Sequence, residues 1–202
     1  MASSSATPKR PWLRRILAAL TLLLLVPVPG LAITFLGTGW AILVSSTGNL
    51  IDGDPSPPTH NFTPNPRGGL LEINMGEFLQ NGGFSNGPAQ LRVTATRDFR
   101  VNGASETLRI TRSFQSQLAN GSIQVTVNIQ PYNLANTPPY IIPPVTRLAP
   151  LGPPITVNDF STNNGVFLGG NYRVTITITY TLNGAGGYWK NDTPHRFDFF
   201  GI

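Results

Sequence analysis

Cysteine is absent from the 202 residues, so disulfide staples and thiolate metal sites are both excluded. A domain without them is held by its core alone, and a chain of this length buries roughly 70% of the surface its unfolded form exposes. A small disulfide-dependent scaffold is therefore ruled out. Charge is scarce as well, at 11% of residues, whereas 21 glycines and 19 prolines mark many turns. That is the composition of short strands joined by tight connections, with no helical stretch among them. Acidic residues are missing before Ile33, a region that holds four of the fourteen basic residues. The rest of the chain carries ten basic residues against nine acidic ones, so the high isoelectric point mostly describes the first segment. A nucleic-acid surface needs a basic patch that survives in the folded domain. The one cluster available, Arg92, Arg97, Arg100, Arg109 and Arg112, is diluted by Asp98 and Glu106. No nucleic-acid partner is expected.

What the first segment does contain is ordered like an export leader. Lys9, Arg10, Arg14 and Arg15 precede the apolar run ILAALTLLLLV, which breaks at PVPGLA. Small residues at Gly30 and Ala32 fit cleavage between Ala32 and Ile33, making residues 1–32 a signal peptide. The competing reading is a signal anchor reaching to residue 44, because apolarity resumes in ITFLGTGWAILV and the uncharged stretch exceeds the ~20 residues a spanning helix needs. Pro27, Pro29 and Gly30 would interrupt such a helix, which favours cleavage. Either way the hydrophobic export helix sends the remainder across a membrane, to a secreted, periplasmic or cell-surface location. Contact with the membrane is then made only through an uncleaved leader. The Arg14-Arg15 pair lacks the fuller twin-arginine pattern and reads as an ordinary basic end.

Residues 33–90 read as an N-terminal strand, ITFLGTGWAILV, followed by a Gly/Pro-rich loop region that includes residues 45–69 and the short mixed segment GLLEINMGEFL. Residues 91–202 read as the β-sandwich core. Leu91, Val93, Ala95, Phe99 and Val101 alternate with polar residues, the period of two of a half-buried strand. Asn102-Gly103 predicts a tight hairpin turn, and Leu108, Ile110 and Phe114 return on the same face. Arg97, Arg112 and Glu106 also fall on that face, so a two-residue loop sets Arg97 beside Glu106. A four-residue loop instead sends Arg97 to solvent or to another partner. Asn120-Gly121 predicts a second reversal into SIQVTVNIQ, completing a three-stranded meander that Pro131 ends. Residues 138–154 hold seven prolines and predict an extended crossing loop between sheets. Residues 171–182 give the clearest strand, with Tyr172, Val174, Ile176, Ile178, Tyr180 and Leu182 on one face and a threonine ladder on the other. Such ladders are usually solvated strand faces of high β propensity; one regular strand falls short of the flat array an ice-binding surface needs.

The stretch Gly170-Asn171-Tyr172-Arg173-Val174 resembles the tyrosine corner of immunoglobulin-like sandwiches, in which a tyrosine hydroxyl bonds back to upstream backbone. The resemblance implies an all-β, antiparallel two-sheet sandwich of about seven to nine strands, immunoglobulin-like, with Val174 where disulfide-bearing members carry cysteine.

No catalytic residue, metal ligand or cofactor site is nominated. Gly83-Phe84-Ser85-Asn86-Gly87 matches G-x-S-x-G, and Asp159 or Asp192 with His195 completes the chain order of a triad. That motif works between a strand and a helix, and here Pro88 leads into a strand. His60 and His195 are far apart, Asp52-Gly-Asp54 lacks the later residues of a calcium loop, and Glu72 and Glu77 have no fixed separation. Three Asn-X-Ser/Thr acceptors, at Asn61, Asn120 and Asn191, matter only in a eukaryotic host. The expected function is that of an exported, non-catalytic β-sandwich with a structural or binding role at the cell surface, envelope or matrix, its partner a surface glycan or protein. The alternatives are a carbohydrate-binding module or glycan-active hydrolase, and a pilin-like assembly subunit. Planar aromatics nominated for a ligand are Tyr188 and Trp189 in GAGGYWKND, with Tyr132 and Tyr140. Trp189 is expected to serve the core rather than a ligand.

Overall fold

The computed structural model describes residues 32–48, 58–75, 88–132 and 138–202. The apolar leader, Asp52, Asp54, Glu77 and the G-x-S-x-G stretch lie outside the described residues. Nine strands follow in order: β1 (Ile33–Phe35), β2 (Ala41–Gly48), β3 (Thr59–Asn65), β4 (Gly68–Asn74), β5 (Pro88–Ala119), β6 (Gly121–Pro131), β7 (Tyr140–Ala149), β8 (Ile155–Asn183) and β9 (Tyr188–Gly201). All their pairings are antiparallel. Among the described residues no helix is long and apolar enough to cross a membrane.

The two longest strands explain the architecture. β5 turns odd positions inward from Ala89 to Val101 and even positions from Leu108 to Leu118. β8 turns odd positions inward from Val157 to Phe167, with Asp159, Ser161 and Asn163 only partly buried, and even ones from Tyr172 to Leu182. They pair with each other from Pro88↔Asn183 to Leu118↔Ile155, with a register shift between Val101 and Ser105. Extra residues in one strand of a pair kink it and re-aim its side chains. Here the ribbon doubles over, and its halves meet face to face: Phe99 lies 6.3 Å from Phe167 between ring centroids, and the Ser116 hydroxyl is 2.7 Å from that of Tyr180. The bend brings backbones so close that a Cβ on Gly169 would strike the carbonyl oxygen of Gly103.

One layer thus consists of β1 and β2 placed along the first half of β5, then the second half of β8, β6 and β7. The other runs β3, β4, β9, the second half of β5 and the first half of β8. A single apolar cluster fills the space between them, drawing on both layers. Ala32 is buried at the margin of this core: its carbonyl accepts the Asn102 N–H at 3.2 Å, and a Cβ on Gly201 would collide with its methyl.

Four expectations are corrected. Asn102-Gly103 is not a hairpin turn; β5 continues through it, because the partner of both its halves is β8. Asn120-Gly121 likewise does not pair β5 with β6 but carries the chain from one layer to the other. Asn120 takes a positive φ of 42° to do so, a conformation asparagine tolerates, and its N–H donates to the Pro150 carbonyl. The proline-rich segment is an edge strand, β7, with Pro143 and Pro144 set at a register shift opposite β6 between Val125 and Val127. Prolines survive where no ladder N–H is required. Ile142 and Val145 are buried there, but Ile141 and Leu148 face out. Finally, the stretch read as a loop from Ser45 holds the end of β2 and all of β3.

The β7 side of the sandwich is closed by ions. Arg112 is buried and bonds Asp159 at 2.8 Å, while the second oxygen of Asp159 takes Arg147 at 2.9 Å. Arg112 also donates to the Pro143 carbonyl at 3.2 Å, and Arg147 to that of Asn158 at 2.8 Å. The Tyr172 hydroxyl donates to the Leu168 carbonyl four residues upstream, at 2.8 Å.

Candidate functional site

The opposite side of the sandwich is open. Where the β1–β2 turn faces β3, a cleft of about 560 Å³ is lined by Thr34, Phe35, Thr38, Trp40, His60, Asn61, Phe62, Asn65 and Arg97, among others. Its size falls in the range of small-molecule sites. The aromatic wall follows from strand parity: Phe35 lies opposite Phe99 in the β1–β5 ladder, and Phe62 opposite Leu71 in β3–β4. Phe35 and Phe62 meet edge to face at 5.0 Å, and Trp40 sits 6.2 Å from Phe62 and 6.1 Å from Phe199. Trp40 is only 7% exposed, and its Nε1 is buried with no partner among the described residues.

Arg97 supplies the charge. Its guanidinium lies over Phe62 at 4.5 Å and over Phe35 at 5.0 Å, and donates to the Leu36 and Gly37 carbonyls at 3.5 and 3.4 Å. Burial lowers its pKa. The expectation that Arg97 falls on the core face is met, with the carbonyls of the β1–β2 turn as acceptors in place of Glu106. Among the described residues no carboxylate lines the cleft.

The four nominated aromatics are not brought together. Trp189 is 3% exposed and packs 5.1 Å from Tyr180, inside the sandwich. Tyr188 is half-buried beside it, opposite Ala119. Tyr132 and Tyr140 stand in the other layer, just after β6 and at the start of β7, flanking residues 133–137. The Tyr132 hydroxyl bonds Asp98 at 2.6 Å and one ring face carries Arg173 at 4.7 Å; Arg173 in turn holds both Asp98 oxygens. Tyr140 bonds the Asn164 carbonyl at 3.0 Å and borders a smaller hollow of about 200 Å³ with Phe167 and Tyr172. Trp40, Phe62 and the cleft itself are not nominated by the sequence, in which their segments look like a leader-proximal strand and a loop. The available signal was a Phe-Leu-Gly-Thr-Gly-Trp turn flanked by apolar residues, paired with an aromatic in an otherwise polar segment.

A second polar group proves to be interior. His195 is fully buried against Phe114, with Nε2 3.2 Å from the Tyr180 hydroxyl, which also meets Ser116 at 2.7 Å and Asn191 at 3.1 Å. Tyr180 donates to Asn191 and accepts from Ser116 and from Nε2–H, which leaves Nδ1 as an unprotonated acceptor without a partner. A bare acceptor is the less costly orphan. Desolvation, helped by the nearby Arg112 charge, pushes the His195 pKa down to about 3. Unfolded histidine titrates near 6.5, so the unfolded chain takes up a proton between these values while the folded one does not. Stability is therefore full above about pH 6.5 and falls as the pH drops toward 3, by on the order of 4 kcal/mol from this group. Asp98, held low first by its Arg173 hydrogen bond, adds loss in the same direction at lower pH. Urea unfolding at pH 7 and pH 4.5 should show the loss in wild type and a smaller one in His195→Gln; equal losses in both would assign it elsewhere.

No protein-family model matches the chain, and a search of curated proteins finds no match. Among solved structures, the chain is similar to the enzymatically active domain of tailspike protein 4 of bacteriophage CBA120, at 14% identity and a TM-score of 0.29, over 80% of this chain and 19% of that one. It is similar to the carbohydrate-binding module TmCBM61, solved with β-1,4-galactotriose, at 12% identity and 0.27, over 82% and 88% of the two chains. The family 11 carbohydrate-binding module of Clostridium thermocellum, solved with a mixed-linked tetrasaccharide, gives 10% identity and 0.28, over 84% and 95%. At these scores the likenesses assign the chain neither a family nor a ligand.

Proposed function

We propose that the protein is an exported, non-catalytic β-sandwich that binds a saccharide in the lateral cleft. The observation that carries this reading is the cleft's composition: an aromatic wall of Phe35, Trp40 and Phe62 with hydroxyl and amide groups from Thr38 and Asn61 at its rim. Apolar ring surface beside a few polar groups is the usual make-up of a small-ligand site. Glycoside hydrolysis canonically uses two carboxyl groups flanking the bond, and the described lining supplies none, which favours binding over the hydrolase alternative. Export rests on the leader's order of charge, apolar run and helix breakers. The immunoglobulin-like detail rests on the Tyr172 bond; the strands that each pass through both layers go beyond that pattern.

The assembly-subunit alternative has a surface of its own, the outer edge of β8, where Phe160 is 77% exposed with Val166 and Leu168 nearby. Arg147, Tyr140 and Tyr172 already occupy the carbonyls of Asn158, Asn164 and Leu168. A donated strand would have to displace them.

Phe62→Ala tests the reading. Removing the ring from the half-buried wall should weaken saccharide binding about tenfold in a tryptophan-fluorescence titration against a panel of oligosaccharides. The melting temperature should move by only a few degrees. Unaltered affinity in the variant, or no saccharide bound by the wild type, would contradict it.

A further inference from the structure

Among the described residues, Arg112 and Arg147 share Asp159 as carboxylate partner, Arg173 takes Asp98 and Arg196 takes Glu72. Arg97 has none among the described residues. It is held by ring faces and by two carbonyls at 3.4 and 3.5 Å, long beside the ~2.7–2.9 Å of charge-assisted bonds. A guanidinium carries five N–H donors in a fixed fork, and only two are engaged here. No acid lines the cleft among the described residues, and a half-buried guanidinium there attracts an anion. The buried Nε1 of Trp40 adds a further donor without an acceptor among the described residues.

We propose that the cleft takes an acidic saccharide, seating a sugar carboxylate on Arg97 with the pyranose body against Phe62. This rests on the saccharide reading above and adds the charge of the ligand. A planar, bidentate carboxylate matches the guanidinium fork, whereas a neutral sugar leaves the cation uncompensated.

The test compares hexuronate, neutral and sulfated oligosaccharides of equal length by calorimetric titration against the full chain. Hexuronates should bind at least about tenfold more tightly than neutral oligomers. Their affinity should fall as sodium chloride rises from about 50 to 500 mM, since salt screens the charge pair. Arg97→Gln should abolish that preference, bringing hexuronate affinity down to that of neutral oligomers. Arg97→Lys, which keeps the charge and an alkyl stem over Phe62, should retain part of it; it also serves if the glutamine variant does not fold. Neutral oligomers binding as well as hexuronates, or Arg97→Gln weakening both equally, would overturn the proposal and leave the saccharide reading standing. A stronger response to sulfated chains would overturn the choice of carboxylate. Binding of no saccharide at all would overturn both.

Discussion

Asp159→Ala is expected to cost about 3–5 kcal/mol of stability, the range for breaking a buried ion pair on one side. The carboxylate has a side-chain exposure of 7% and compensates two guanidiniums, of which Arg112 is 5% exposed and Arg147 is 41% exposed. Without Asp159 the outer arginine can turn to water. Arg112 cannot; it would keep one bond to the Pro143 carbonyl and remain a buried cation, with His195 close enough to feel its charge. The double variant Arg112→Met/Asp159→Leu removes the cation as well and should recover most of the loss, because a packed apolar pair replaces a buried ionic one at little cost. Denaturant unfolding of the three proteins measures this. A single-variant loss below about 1 kcal/mol, or a double variant worse than the single, would show that the triad behaves as a surface pair.

Trp189→Ala should cost roughly 3 to 5 kcal/mol and lower the melting temperature by about ten degrees or more. Its indole is enclosed near Tyr180, where β9 enters the layer beside Leu118, so truncation leaves a cavity that strands cannot close without losing register. Saccharide binding by the surviving folded fraction should be unchanged, since Trp189 lies at the far end of the sandwich from Arg97. An intact melting curve together with lost binding would move the ligand site to the GAGGYWKND turn.

These two residues differ in how far the sequence announced them. For Trp189 parity leaves both faces open, since a six-residue loop after Leu182 turns it to the core and a five-residue loop away from it. Core is favoured only because exported sandwiches commonly close with an aromatic. The faces of β6 and of the second half of β8 were plain, since Ile123 to Ile129 and Tyr172 to Leu182 alternate without a break and both strands bury one side. Asp159 gave no such sign. Its partners come from β5 and β7, and β7 had been read as a proline loop, so nothing local placed Arg147 beside it. The bend at Asn102 failed for a related reason: an Asn-Gly pair followed by resumed alternation looks the same whether the chain reverses or kinks. Only the partner strand decides, and β8 lies more than fifty residues away in sequence. The cleft was hidden by the same distance, assembled from the β1–β2 turn, from β3 and from one arginine of β5.

The central claim is that ligands enter between the β1–β2 turn and β3. Amide shift mapping of the labelled protein, titrated with hexuronate oligomers, tests it most directly. The account predicts that the largest changes fall on residues 34–40, on His60, Asn61 and Phe62, and on the Arg97 side-chain N–H, with the Trp40 indole N–H shifting as it gains an acceptor. Changes centred instead on Tyr132 and Tyr140, or on the threonine face of β8, with the Trp40 and Arg97 signals unmoved, would contradict it.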